Sequence, residues 1–539
     1  MRNAGVIVLL AVALLPVAAG LAGLAGVDGN ALREVLVAPG VRGALAISVT
    51  SGILATLVAV VLAHLLVAAA AGAGWLARLR AGMLPLLALP HLALGIGLVL
   101  VLAPSGLLLR LLSPWATGFT QPPGWVTVQD PAGLSLVAGL AIKETAFLVL
   151  ALLAALAQVP AAGLLRSAQA LGYPPRHAWL VAVAPLLARQ TRLPVAAVLT
   201  YGVTNVDLAL ALGPRTPPPF AVLVWQWFTS GDLAARELAL AGTLVLFAVT
   251  LAVLAAGAAF YRAASHAWRA WAATGQRSHL SGLALATPVA ALLALLGFAA
   301  VAALLLRAVT GPAPFPAVVA PRIGMAVDPA LLAAPLATTL ALALATAGVA
   351  LMLTLWAAEA LAARSSARAQ VAALLFVPLL LPQLAFLFGW QVLLARLRID
   401  GLFVAVLWSH LVFALPYVWG VLAEARGGLD PRLPLVARTL GAGRGTAWWR
   451  VTAPLLLRST LVAGALAMAV SAAVYLPTLF AGAGRVATLA TEAAAAIASG
   501  NLQEAAAHAA LQVVVPLTAF TAAAVASRCV FRDRRGVPG

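Results

Sequence analysis

An all-α integral membrane fold with about 12 transmembrane helices is what the sequence predicts. Three observations carry that reading: an extreme composition, the spacing of long apolar stretches, and a loop sequence that occurs twice. The chain has 539 residues, of which 64% are hydrophobic and 9% charged, and its mean hydropathy is +1.06. Soluble domains carry roughly 25% charged and 45–50% apolar residues. No packing in water hides this much apolar surface, so lipid is the solvent.

About 20 apolar residues in a helix cross the hydrocarbon core. Twelve stretches qualify, near 4–26, 43–71, 83–103, 134–156, 193–212, 237–260, 284–306, 331–358, 371–395, 402–423, 459–476 and 503–527. The first follows Met1-Arg2-Asn3 and is read as a retained helix rather than a cleaved signal. The formal net charge of +18 is spread over short loops and is not gathered in one patch. It accompanies no reader motif, which excludes a nucleic-acid partner. With the N-terminus in the cytoplasm, 22 arginines fall on the cytoplasmic side and 10 on the other. That bias predicts a multi-pass protein of the bacterial cytoplasmic (inner) membrane with both termini inside. Arg396 and Arg398, in a short outer loop, run against it.

A search for internal similarity finds Ser167-Ala168-Gln169-Ala170-Leu171-Gly172, followed by Ala184-Pro185-Leu186-Leu187. Its counterpart is Val436-Ala437-Arg438-Thr439-Leu440-Gly441, followed by Ala453-Pro454-Leu455-Leu456. The offset is 269 residues. Weaker matches pair Ser48 and Thr56 with Thr338 and Thr346, and Leu89-Pro90 with Leu381-Pro382, at offsets of 290–292. The long loop 104–133 absorbs the difference. Two tandem six-helix units are therefore expected, 1–275 and 276–539, with the repeated loops at 160–190 and 429–458. Glycine can end one short helix and turn the chain, the small alanine permits close approach to a partner, and proline opens the next helix.

These paired loops resemble the coupling loop of binding-protein-dependent ABC importer permeases, with Ala168, Gly172 and Pro185 in one copy and Ala437, Gly441 and Pro454 in the other. Thirteen residues separate Gly from Pro in both, as the family pattern has it. The family's Glu position instead holds Arg166 and Leu435. Lys143-Glu144-Thr145-Ala146-Phe147, Asn205-Val206-Asp207, Gly213-Pro214-Arg215 and Tyr475 through Arg485 are similar to the Ynj-type fused permeases, a group related to thiamine and ferric-iron permeases. The resemblance implies the type I ABC importer fold and import by alternating access. It also implies two copies of a cytoplasmic ABC ATPase docked on the loops and an extracytoplasmic solute-binding protein. Thiamine-like compounds, ferric iron and other small polar or cationic solutes are the implied substrates.

Ionisable groups in apolar helices mark functional sites. Lys143 and Glu144 fall in the fourth stretch, Asn205 and Asp207 in the fifth. The residues predict either a Lys143–Asp207 ion pair or a polar translocation path. Tyr475 and Pro477 are candidates for an outer gate. His64, His91 and His410 form no ligand cluster and read as packing residues, so neither metal nor cofactor is expected. No catalytic residue and no Walker Gly-Lys-Ser/Thr loop are present, which places ATP hydrolysis in another subunit. An ion-gradient-driven twelve-helix transporter is the alternative.

Overall fold

The computed structural model describes residues 4–277, 286–319 and 327–531. Arg2, Arg322, Arg532, Arg534 and Arg535, which enter the charge count, lie outside the described residues. The chain opens with α1 (Ala4–Leu24), the short α2 (Gly29–Val37) and the long α3 (Val41–Ala73). Next come α4 (Leu76–Ala88), α5 (His91–Leu102), α6 (Leu107–Leu112) and α7 (Leu134–Leu156). The first repeated loop holds α8 (Ala161–Ala170), α9 (Pro175–Ala178), a π-helical turn at Trp179–Val183 and α10 (Ala184–Gln190). It is followed by α11 (Arg192–Thr204), α12 (Asp207–Leu212), α13 (Phe220–Thr229) and α14 (Leu233–Ala273).

The later elements are α15 (Ala286–Thr310), α16 (Pro329–Ala360), α17 (Ser365–Leu380), α18 (Gln383–Arg396) and α19 (Phe403–Gly428). The second repeated loop holds α20 (Arg432–Thr439), α21 (Arg444–Ala447) and a π-helical turn at Trp448–Thr452. Then come α22 (Ala453–Ala473), α23 (Leu476–Gly482), α24 (Leu489–Ala498) and α25 (Leu502–Phe531). Elements α7, α12, α13 and α14 begin 269 residues before α19, α23, α24 and α25, and the π-turns keep the same offset.

Among the described residues ten helical segments are long and apolar enough to cross a membrane, and they number eleven if α17 and α18, bent by 93° to each other, count as one span. The stretch expected at 193–212 is broken into α11 and α12, so Asn205 and Asp207 lie at a break and not inside a continuous helix. Asn205 is extended, and its Oδ1 accepts the Ala209 amide at 2.9 Å, capping the helix that follows. The equivalent break at Val474-Tyr475 precedes Pro477, whose missing N–H and ring cannot continue α22. Leu89-Pro90 and Leu381-Pro382 likewise stand where α4 gives way to α5 and α17 to α18.

Ser48 Oγ accepts the Phe220 amide at 2.8 Å, and Thr339 Oγ1 accepts the Leu489 amide at 3.0 Å. Phe220 and Leu489 open equivalent helices, so Thr339, and not Thr338, is the structural counterpart of Ser48.

The first helix of each expected unit packs on the other unit. α1 lies against α16, α17, α18 and α19, whereas α15 lies against α3, α5 and α7, and also α25. Both crossings need a residue without a side chain. A Cβ at Gly389 would come 2.8 Å from Gly20 Cα, and one at Gly97 would come 2.6 Å from the Ala300 carbonyl. Backbones that approach this closely gain van der Waals contact in lipid, where apolar burial alone drives little association.

Buried apolar residues form one core spanning both units, which includes Leu212, Phe220, Phe386, Trp390 and Phe480. Toward the repeated loops this gives way to two separate cores. One is built around Leu79, Leu152 and Trp179, the other around Leu9, Leu353 and Trp419. We call that end of the bundle the loop end, and the opposite end, with Asp130 and Leu212, the far end.

Candidate functional site

At the loop end, α8 and α20 close in the same way. Gly172 and Gly441 have φ of +86° and +91°. The Tyr173 amide donates to the Ala168 carbonyl at 3.2 Å, and the Ala442 amide donates to the Ala437 carbonyl at 3.0 Å. The chain thus turns back on the alanine carbonyl four residues before the glycine, which accounts for the Ala-to-Gly spacing. Pro185 and Pro454 sit in the first turn of α10 and α22, where the missing N–H leaves no helical bond unmade.

Leu171 and Leu440, one residue before each glycine, are 64% and 81% exposed. Leu433, Leu435, Val436 and Trp449 extend the exposed apolar surface of the second loop. The first loop is braced from within the chain. α14 has 41 residues, about 60 Å of helix against a hydrocarbon core of about 30 Å. Its last turns bring Trp271 to stack on His177 with centroids 4.9 Å apart, and Arg277 lies 5.8 Å over the Tyr173 ring. Among the described residues nothing approaches Gly441 in this manner.

The intramembrane polar residues are brought together without the expected Lys143–Asp207 pair. Lys143 forms no ion pair with Asp207. Its ammonium donates to the carbonyls of Leu86 (3.1 Å), Leu87 (2.5 Å) and Leu89, at the C-terminus of α4. A helix end leaves its last carbonyls without partners, and Pro90 has no N–H to offer the Leu86 oxygen. The lysine is a cation capping a broken helix. Counting side-chain charges hides that partner; the Leu89-Pro90 break was the signal for it.

Glu144 instead faces His91, with Oε1 3.4 Å from Nε2. The His91 ring packs on Tyr201 with centroids 4.4 Å apart. Among the described residues Asp207, Asn205 and Thr145 each keep a buried polar atom without a hydrogen-bond partner, and the Tyr201 hydroxyl lies beside Asn205. Tyr417 lies within electrostatic reach of Glu144, and Tyr475 within reach of Asp207 and beside Trp225. The cluster therefore straddles the seam between the two units, where Thr200 also donates to the Leu380 carbonyl at 3.4 Å.

Aromatic side chains fill the seam nearby: Phe228 packs on Phe388 at 4.4 Å and on Phe480 at 5.2 Å. Pro477 is buried in the first turn of α23. Arg485 fastens the following loop by donating to the Asp400 carbonyl and carboxylate at 2.7 and 2.5 Å. His410 is fully buried between Ser471 (2.7 Å) and Thr478 (2.9 Å), bracing the break between α22 and α23. His64 bonds the carbonyl one turn before it. Among the described residues no group of three side chains could hold a metal. Sequence reasoning missed Tyr417, Phe228 and Phe388, which carry no charge signal and stand out only once the units are packed together.

No family model matches the chain. The inner membrane ABC transporter permease protein YnjC of Escherichia coli (strain K12) is 32% identical over 461 residues, covering 84% of this chain and 81% of that protein. The chain belongs to the ABC transporter permeases. The permease is also similar, over 122 residues, to the molybdenum transport system permease protein ModB of Mycobacterium bovis and of Mycobacterium tuberculosis. These are 38% identical and cover 20% of this chain and 46% of theirs. Membership agrees with the all-helical multi-pass architecture and gives the two Gly-turned loops a family context.

Proposed function

We propose that this permease is the translocation subunit of an importer of the bacterial inner membrane, with its loop end and both termini in the cytoplasm. In this reading residues 1–275 and 276–539 are tandem units that rock against each other. The observation that carries it is the matched pair of Gly172 and Gly441 turns, each presenting an exposed leucine. Two equivalent apolar handles suit two copies of one ATPase subunit, and the chain has no phosphate-binding loop of its own.

Polar groups along the seam form the path: Glu144, Asn205 and Asp207, with Tyr201, Tyr417 and Tyr475. Lys143 positions the helix break rather than meeting the solute. The shared core at the far end and the two separate cores at the loop end support a path closed outside and parted inside. Phe228, Phe388, Phe480, Tyr475 and Pro477 form the outer gate. A soluble receptor delivers the solute there, and ATPase closure, transmitted through both loops, opens it. The seam's charged side chains not already capping a helix end are acidic, which favours a cationic or hydroxyl-rich solute, thiamine-like or ferric, over the molybdenum named for the mycobacterial relatives.

The test is co-purification with the ATPase encoded beside the permease. Leu171→Asp together with Leu440→Asp abolishes the complex while the permease still inserts and stays monodisperse. Unchanged assembly refutes the handles, and uptake that proceeds without any ATPase restores the ion-gradient alternative.

A further inference from the structure

Away from the seam, at the far end, α5, α6, α15 and the start of α25 enclose a cavity of about 100 Å³. Its lining includes two guanidinium groups, Arg110 and Arg307, set among Leu100, Leu107, Leu306 and Val318. The two cations lie within electrostatic reach of each other, and among the described residues neither has a carboxylate partner. Arg110 is held in place by the backbone, donating Nε to the Ser105 carbonyl at 2.7 Å and Nη1 to the carbonyls of Pro314 (3.2 Å) and Ala317. The backbone of Arg307 is pinned by Gln503, whose Nε2 donates to its carbonyl at 2.8 Å. Among the described residues its side-chain Nε is buried with no acceptor.

Two like charges fixed beside one cavity repel each other, and a buried N–H without an acceptor adds a desolvation cost. The carbonyls on Arg110 and the Phe315 ring, 5.6 Å from its Cζ, offset part of that repulsion, but no described side chain supplies a counter-charge or an acceptor for Arg307 Nε. An anion in the cavity relieves both, because guanidinium groups match tetrahedral oxyanions through paired, charge-assisted hydrogen bonds. The volume holds several waters or one such anion.

The surroundings identify its carrier. Leu108 and Leu111 on α6, and Leu305 and Val309 on α15, are all between 43% and 54% exposed. They flank the arginines on helices at the rim of the bundle, at the level where an apolar span ends and headgroups begin. A ligand with phosphate at the arginines and hydrocarbon along those four side chains fits this arrangement. We propose that Arg110 and Arg307 form a structural binding site for one anionic phospholipid, its phosphodiester between the guanidinium groups and its acyl chains along α6 and α15.

Native mass spectrometry of the full permease in detergent tests this, with phosphatidylglycerol, phosphatidylethanolamine and inorganic phosphate as the added probes. One phosphatidylglycerol is retained, and its affinity falls at least about tenfold in Arg307→Gln and in Arg110→Gln, the scale of one lost charge-assisted bond. Arg307→Lys keeps part of the affinity, and an unchanged elution profile shows that each variant is folded. Equal retention by wild type and both glutamine variants overturns the site. Displacement of the lipid by millimolar phosphate assigns the arginines to a soluble oxyanion and overturns the lipid reading. Absence of retained lipid, with receptor-dependent transport lost in the variants, assigns them to a protein contact and overturns it equally.

Discussion

Replacing Lys143 with methionine keeps the length of the side chain and removes the charge that three carbonyls share. Lys143 is 5% exposed, so no water replaces it. A hydrogen bond to a charged group contributes about 1.5–3 kcal/mol, and a buried group left unsatisfied costs about 1–3 kcal/mol. Removing the ammonium also removes its own desolvation penalty, several kcal/mol for a buried ion. Taking about 2 kcal/mol for each of the three carbonyls gives about 6 kcal/mol, and recovering about 3 kcal/mol of desolvation leaves a net loss of about 3 kcal/mol. In a chain this large 1 kcal/mol moves Tm by roughly 2 °C, so Lys143→Met melts about 6 °C below wild type in detergent. Lys143→Gln, which keeps a donor, loses less. The double variant Lys143→Met/Asp207→Asn shows no rescue, since the structure contains no bond between the two residues. If Lys143→Met melted within 1 °C of wild type yet abolished transport, the ammonium would belong to the solute path and the capping argument would fail. Restored activity in the double variant would fail it differently, by reinstating the ion pair.

At the loop end, Gly441→Ala adds a Cβ that meets nothing within 4 Å, so its whole effect is backbone strain at φ +91°, about 1–2 kcal/mol. ATPase affinity falls roughly 5- to 30-fold by surface plasmon resonance, and unaltered affinity removes the second loop from the docking surface. Asp130, in the loop before α7, accepts the Leu134 amide (2.7 Å), the Ser135 amide (2.8 Å) and the Ser135 hydroxyl (2.6 Å). Partial burial pushes its carboxyl up, but the hydrogen bonds from Ser135 and Leu134 outweigh burial and hold it below the ordinary 3.8. Its contribution is therefore complete above the unfolded value and disappears as pH falls through the lower folded one. Asp130→Ala loses about 1 kcal/mol near neutrality, and the gap to wild type closes as pH falls below the ordinary 3.8; a gap that stays constant through acid pH contradicts the assignment.

What the sequence displays plainly is whatever depends on residue type over a long window. Apolar length located the spans, and the Gly172 and Gly441 turns were legible because a positive φ and a proline-started helix both have residue-type signatures. The breaks at Asn205-Val206 and Val474-Tyr475 were not, because hydropathy stays high across them while the backbone changes direction. Lys143 was assigned to Asp207 by charge balance, which ignores backbone carbonyls as partners. The packing of α1 on the second unit had no periodic trace; only Gly20 and Gly389 betray it, and a glycine in a membrane helix has many uses. Arg110 and Arg307, 197 positions apart in the chain, meet only when α6 and α15 are brought to one rim.

The exchange of first helices sets a timetable for synthesis. α1 leaves the ribosome well before α18, yet its glycine-lined face fits that helix, which follows about 360 residues later. At about 5–20 residues per second that is a wait of roughly 20–70 s. During it α1 can rest in lipid beside unfinished neighbours but cannot reach its final seat. α15, by contrast, emerges after α3, α5 and α7 are in place, and docks on a surface already waiting. A segment from the first unit thus waits for its seat in the second, and a nascent chain truncated before α18 would carry an unclaimed helix for quality-control proteases to recognise.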